Sequence, residues 1–219
     1  MKTTIVLALA IFCSSIAVGQ DAVVKKMLVS FCNGFDKVKQ FSEQELSDCI
    51  TKSIVDNEHE LMKECYRIYK DTSYETGYRF GQEVSFRVLL EAIGTCKSYY
   101  LAMDTLRIQA YTADNKDVVR KEIEEFNKNV PDSAEVAFFF RRGTSYFAIS
   151  EYDQALNDLN KALSVNNRLS QVIYLKALTL EMLGKYDEAI GLFEQLADKE
   201  KKPHYSIAAA IVRRKKSGR

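Results

Sequence analysis

Cysteine and histidine are the side chains of this sequence best suited to chemistry. There are five cysteines and two histidines. A redox site needs two cysteines at close spacing, as in C-x-x-C, so that one thiolate is stabilised. The closest pair, Cys49 and Cys65, is 16 positions apart. We therefore expect structural cysteines, and neither their spacing nor the histidines indicates a metal site.

The other familiar catalytic patterns are also missing from the sequence. His59 opens the stretch HELMK, which begins like the zinc motif H-E-x-x-H, but Lys63 stands where the second histidine is required. The chain contains neither a G-x-S-x-G elbow nor a glycine-rich phosphate loop. The sequence predicts no catalytic residue, no metal and no cofactor, and hence a protein that is not an enzyme.

The first 19 residues have the form of a secretory signal peptide. Lys2 precedes an apolar run from Ile5 to Phe12, and small residues end the segment. We expect cleavage after Gly19 and export, either to the periplasm or to the medium. The run is short for a bilayer span, so no transmembrane segment is expected in the mature chain. Two alternatives are lipid attachment at Cys13 and an uncleaved anchor; bulky Phe12 disfavours the first.

Export changes the interpretation of the remaining cysteines. Removal of the signal peptide takes Cys13 away, and four cysteines remain: Cys32, Cys49, Cys65 and Cys96. An even number in an oxidising compartment predicts two disulfides, and the sequence leaves all three pairings open.

Composition indicates a folded, all-α protein. Hydrophobic residues make up 47% of the chain and charged residues 28%. Two prolines and nine glycines are few helix breakers for 219 residues. The formal net charge is +1, so no overall field would attract nucleic acid, and no nucleic-acid partner is expected.

Residues 20–105 are predicted to form a small disulfide-linked helical module. Amphipathic patterns indicate helices over 23–35, after Ser42, over 58–69 and over 75–101, each carrying one of the four cysteines. Ser42 and Glu45 have the spacing of a capping box. The order Cys32, Cys49, Gly77, Gly81 and Cys96 loosely resembles a helical module of secreted bacterial proteins. That resemblance implies export and disulfides but no activity.

A repeat occupies the second half of the chain. The stretch EYDQALNDLNKALSVNN at 151–167 is followed, 34 residues after its start, by KYDEAIGLFEQLADKEK at 185–201. Polarity is kept in all the aligned pairs, and size in most of them. A fixed period of 34 is typical of helix–turn–helix repeats. The aligned pairs are Gly143 and Ala177, Tyr146 and Leu180, Tyr152 and Tyr186, Asp153 and Asp187, Ala155 and Ala189, Leu159 and Phe193, and Ala162 and Leu196.

These residues resemble the tetratricopeptide repeat family. One repeat covers 136–169 and the other 170–203. The signature positions are Phe139, Gly143, Tyr146, Tyr152, Ala155, Leu159 and Ala162, then Ile173, Ala177, Leu180, Tyr186, Ala189, Phe193 and Leu196. The second repeat departs at Ala177, which is not glycine, and at Leu180, which is not aromatic. The resemblance implies paired antiparallel helices that bind proteins, and we expect Asp153 and Asp187 to cap the second helix of each pair.

Two repeats are too few to bury their own faces, because about three are needed for stability. Residues 204–219 contain a short apolar helix with a basic tail, which we expect to cover the second repeat. Residues 106–135 are either a connecting helix or a degenerate repeat, and the sequence leaves this open.

The inner face of the array is the predicted binding groove. It is lined by residues on the first helix of each repeat that are not needed for packing inside the repeat: Phe140, Thr144, Phe147, Tyr174, Leu178 and Glu181. Family members that grip a terminal carboxylate use Lys and Asn here, so that clamp is absent. An apolar groove suits an amphipathic helix or an extended apolar segment. The alternative is burial of these aromatics by the chain itself.

The sequence therefore favours an exported, non-catalytic adaptor that binds a protein or peptide of unknown identity. The alternative is a structural or redox-responsive envelope protein in which the cysteine module is the active part.

Overall fold

A computed structural model describes residues 21–130 and 135–218. Every regular element in these ranges is a helix, as the composition predicted. The predicted signal peptide, including Cys13, lies outside the described residues. The chain divides into two compact units between Tyr100 and Leu101, whereas the sequence analysis placed the boundary after residue 105.

The first unit contains a helix over residues 21–35 (α1), three further helices and the start of a fifth. Their bounds are α2 Glu43–Asp56, α3 Glu58–Tyr69, α4 Tyr74–Thr95 and α5 Lys97–Gln109. The backbone N–H of Glu45 donates to Ser42 Oγ at 3.1 Å, which is the cap expected at the start of α2. In the core, Tyr99 packs edge-on against Phe31 and Phe35, each at 5.2 Å between ring centroids.

The single helix predicted over 75–101 is two helices, so that prediction was wrong. Cys96 has an extended backbone (φ −86°, ψ 108°) between α4 and α5 and is bonded to Cys32, with 5.5 Å between the Cα atoms. The apolar periodicity continues across this break, because Ala92, Cys96 and Tyr99, spaced by four and three residues, are all buried. Periodicity alone therefore cannot reveal the break.

The second unit contains the end of α5 and six more helices. Their bounds are α6 Lys116–Lys128, α7 Val136–Ala148, α8 Tyr152–Val165, α9 Ser170–Met182, α10 Tyr186–Glu200 and α11 Pro203–Lys216. From α6 onward, each helix packs on the next one in sequence. The apolar segment after Pro203 forms α11 and packs against α10.

The turns inside the two hairpins α7–α8 and α9–α10 have the same geometry. Glu151 N–H donates to Tyr146 O, and Lys185 N–H donates to Leu180 O, both at 2.9 Å. One residue before each donor, Ser150 and Gly184 have left-handed backbones, with φ of 71° and 73°. The 34-residue period of the sequence is thus a period of the backbone as well.

The prediction that Asp153 and Asp187 are the N-caps of α8 and α10 was wrong. Glu151 and Lys185 occupy the N-cap positions of α8 and α10, without a side-chain cap bond. The two aspartates lie in the first helical turn, where a carboxylate is still favoured by the helix dipole.

Close approach within the first hairpin depends on Gly143. A Cβ at this position would lie 3.3 Å from Leu159 Cγ and 3.4 Å from Ala155 O. Beside it, buried Arg142 donates to both oxygens of Asp158 on α8 at 2.6 and 2.8 Å, and to Asn127 Oδ1 at 3.0 Å. The guanidinium therefore ties α7 to α8 and to the α6 segment.

We expect Ser150→Gly to stabilise the protein by about 0.5–1 kcal/mol, because glycine accepts a positive φ without a Cβ clash. Gly184→Ala should destabilise it by about 1 kcal/mol for the same reason. Urea unfolding followed by circular dichroism measures both. Ser150→Ala is the matched control; a gain equal to that of glycine would contradict the explanation.

Candidate functional site

The predicted groove residues do not all face solvent. Phe147, Leu178 and Glu181 are buried, whereas Phe140, Thr144 and Tyr174 are partly exposed. A partner could reach Phe140 and Thr144 directly. Tyr174, although partly exposed, is packed among aromatic rings of the chain itself. The inner face is therefore divided into a closed part and an open part.

Aromatic packing closes the region around Phe147 and Tyr174. Tyr111, just after α5, lies edge-on to Phe147 at 6.0 Å and contacts Tyr174 at 6.3 Å between ring centroids. Tyr174 also packs on Phe193 at 5.4 Å and on Tyr205 at 5.8 Å. Burial raises the pKa of Tyr174 to about 12. Burial by the chain itself, the alternative given above, describes this part of the inner face.

Glu181 is the centre of a buried ion-pair network. Arg107 of α5 contacts both oxygens of Glu181, and its Nη1 donates to Oε2 at 2.5 Å. Lys215 of α11 donates to Glu181 Oε1 at 2.7 Å, and Asp104 accepts from both Arg107 and Lys215, at 2.5 and 2.8 Å. The side chains of Glu181 and Arg107 are only 1% and 7% exposed. Removing one member of such a buried pair costs about 3–5 kcal/mol.

Sequence reasoning placed Glu181 in the groove but missed Asp104, Arg107 and Lys215. The available signal was the one carboxylate in the largely apolar stretch VIYLKALTLEM of α9. A buried carboxylate favours a cation nearby, but the sequence does not show which of 31 Lys and Arg residues supplies it.

Next to the closed part, the inner face is open as a cleft of about 570 Å³. Phe140 and Thr144 line it, together with Ala148 one further turn along α7 and Gln171 at the start of α9. The remaining lining residues are Ala110, Tyr111, Val119, Glu122, Arg141 and Ser145. The volume is in the range of small-ligand pockets.

The cleft combines apolar walls with one charge of each sign. Glu122 accepts a hydrogen bond from Ser145 Oγ at 3.2 Å. The exposed Arg141 guanidinium lies 5.7 Å from the centroid of the Phe126 ring. Phe140 and Tyr111 supply aromatic surface. The lining fits a largely apolar segment with polar groups at its margins.

The four cysteines of the first unit form one disulfide, Cys32–Cys96, and not the two that were predicted. Cys49 on α2 and Cys65 on α3 are free and buried. Burial raises the pKa of both thiols, and nearby carboxylates raise it further: Glu45 and Asp48 for Cys49, and Asp71 for Cys65. An even cysteine count therefore did not imply that all four cysteines pair, because Cys49 and Cys65 serve as small buried side chains.

Acidic partners within the chain hold part of the basic C-terminal tail. Arg213 pairs with Glu194, and Lys216 donates to Asp187 at 2.5 Å. Lys215 belongs to the Glu181 network. These ion pairs leave less of the tail's charge for an acidic partner or an anionic surface.

His59 is exposed, as expected for a helix-surface residue. In the described ranges, no three His, Cys, Asp or Glu side chains lie together in a way that could hold a metal ion. None of the helices over residues 21–130 and 135–218 is long and apolar enough to cross a membrane.

Comparisons of the chain with protein-family models, with curated proteins and with solved structures found no match.

We expect thiol titration of the mature chain, which begins at Gln20, to find two free thiols per molecule. In denaturant without reductant, Cys49 and Cys65 should react with a disulfide reagent at once. In the native protein both should react slowly, because they are buried and their raised pKa keeps the thiolate scarce. Cys49→Ser and Cys65→Ser are the controls, each removing one thiol. A count of zero in denaturant would indicate a second disulfide.

Proposed function

We propose that residues 136–203 form a pair of tetratricopeptide repeats and that the protein is an exported, non-catalytic module that binds a segment of another protein. Two helical hairpins with equal turns support this proposal, since α7 and α9 begin 34 residues apart, as do α8 and α10. The residues that carry the family resemblance lie in these same two hairpins.

The open cleft is the observation that carries the proposal. It lies on the face that the repeat pattern assigns to binding, and it is lined by two predicted groove residues, Phe140 and Thr144. An extended apolar segment or one side of an amphipathic helix fits such a surface. Its mixture of Glu122 and Arg141 offers no uniform charge to nucleic acid.

The cysteine module supports the adaptor over the redox-responsive alternative. A thiol that senses oxidants is accessible and has a lowered pKa. Cys49 and Cys65 are buried, and their pKa is raised. The Cys32–Cys96 disulfide joins α1 to the segment between α4 and α5, as a structural crosslink would.

Thr144→Arg should abolish partner binding by filling the cleft. Within the described residues, Thr144 Oγ donates to Phe140 O of its own helix, at 2.8 Å, so the substitution breaks no hydrogen bond between helices there. The measurement is a pull-down from cell-envelope extract with the full mature chain as bait, read out by quantitative mass spectrometry. We expect at least a ten-fold loss of the specific partner.

Asn157→Arg is the matched control, because it adds the same side chain to the exposed surface of α8. It should retain the partner fully. Circular dichroism checks that both variants are folded. Proteins captured equally by the native chain, Thr144→Arg and Asn157→Arg would contradict the groove, and so would the absence of any captured protein.

Export makes a separate prediction. Protein purified from the producing cells should begin at Gln20, because the signal peptide is removed after Gly19. Intact-mass and N-terminal peptide analysis of the envelope and medium fractions measures this. A chain that retains Met1 and stays in the cytoplasm would contradict export.

A further inference from the structure

The second half of α5 is attached to the repeats mainly by charge. Across residues 101–110, Arg107 is the one fully buried side chain. Ala102, Met103 and Ile108 are only partly buried, and Leu101 and Leu106 are exposed. Apolar burial, which holds most packed helices in place, is therefore small here. The attachment consists chiefly of the contacts of Asp104 and Arg107 and, beyond the helix, of the Tyr111 ring.

Backbone packing agrees with this description. Successive helices from α6 to α11 lie close along one another, but α5 makes far fewer close backbone contacts with any helix of this unit. Segments with few buried apolar contacts open more readily than the core. We refer to residues 101–111 as the strap.

The fit of the strap is also incomplete. Both terminal nitrogens of Arg107 bond to carboxylates, but its Nε–H is buried and has no acceptor within the described part of the chain. A buried donor without an acceptor lowers the stability of the bound arrangement. A partner segment whose own arginine had every N–H bonded would bind the same site better than the strap does.

Departure of the strap would leave a defined site. Glu181 would keep Lys215 as a partner, at 2.7 Å, but would lose the bidentate guanidinium. Phe147 and Tyr174 would lose the ring of Tyr111. Ala110 and Tyr111 also line the open cleft, so their departure would lengthen it toward Glu181.

We propose that Glu181 and its aromatic neighbours form a recognition site for a partner segment that carries an arginine and, four residues later, an aromatic ring. The strap occupies this site as an internal substitute through Arg107 and Tyr111. A planar guanidinium binds both carboxylate oxygens at once, which lysine cannot do. This inference rests on the proposed protein-binding function and names the chemistry of the partner.

The test uses a fluorescent peptide with the sequence of the strap and one further residue, LAMDTLRIQAYT, titrated into the full mature chain. The Arg107→Ala chain, whose strap is weakened, should bind it at least ten-fold more tightly than the native chain. Adding Glu181→Gln should remove this gain. A peptide with alanine in place of its arginine should not bind, and one with lysine should bind several-fold more weakly.

Arg213→Ala is the matched control, because it removes an arginine from an exposed ion pair with Glu194. Its affinity for the peptide should equal that of the native chain. The proposal is overturned if Arg107→Ala gains no affinity, or if the arginine and alanine peptides bind equally well.

If Arg107→Ala does not fold, hydrogen exchange of the native chain decides the question. Amides of residues 104–111 should exchange at least ten-fold faster than those of α9, since the strap opens without global unfolding. Equal rates in the two segments would overturn the proposal.

The two proposals fail in different experiments. A partner lost from Thr144→Arg but no peptide binding would remove the Glu181 site and keep the adaptor. Peptide binding at Glu181 with no captured partner would keep the site and remove the adaptor.

Discussion

An ionised carboxylate is costly to bury unless positive charge or hydrogen-bond donors compensate it, and Glu181 imposes this constraint on the second unit. Arg107 and Lys215 meet it from α5 and α11, segments that precede and follow the two hairpins. Asp104 in turn balances the second cation. One residue of α9 thus determines which segments cover one end of the inner face.

The face beside this network is open. Around Glu181 the chain supplies its own arginine and tyrosine, whereas beside Phe140 and Thr144 a cleft of about 570 Å³ remains. The closed and open parts are adjacent, since Tyr111 belongs to both. The second unit thus closes one part of this face with its own charged and aromatic side chains and leaves the adjacent part accessible.

Much of the architecture could be predicted from local sequence. Residues 58–69 form α3 within the predicted bounds, and the repeat register matches the hairpins because it reflects contacts made at fixed spacing within one chain segment. The break at Cys96, the free thiols of Cys49 and Cys65, and the partners of Glu181 were not predictable. Each depends on which distant side chain lies opposite, and periodicity carries no information about that.

The sequence by itself determined that the described chain is helical and where the hairpins turn. Helix propensity, breaker scarcity and period are local properties, so they can be read from neighbouring residues. Tertiary structure decided which of the predicted groove residues are covered, which cysteines pair, and which charges meet. Those outcomes depend on the relative placement of segments such as α5, α9 and α11, because burial and ion pairing arise only between surfaces that the fold brings together.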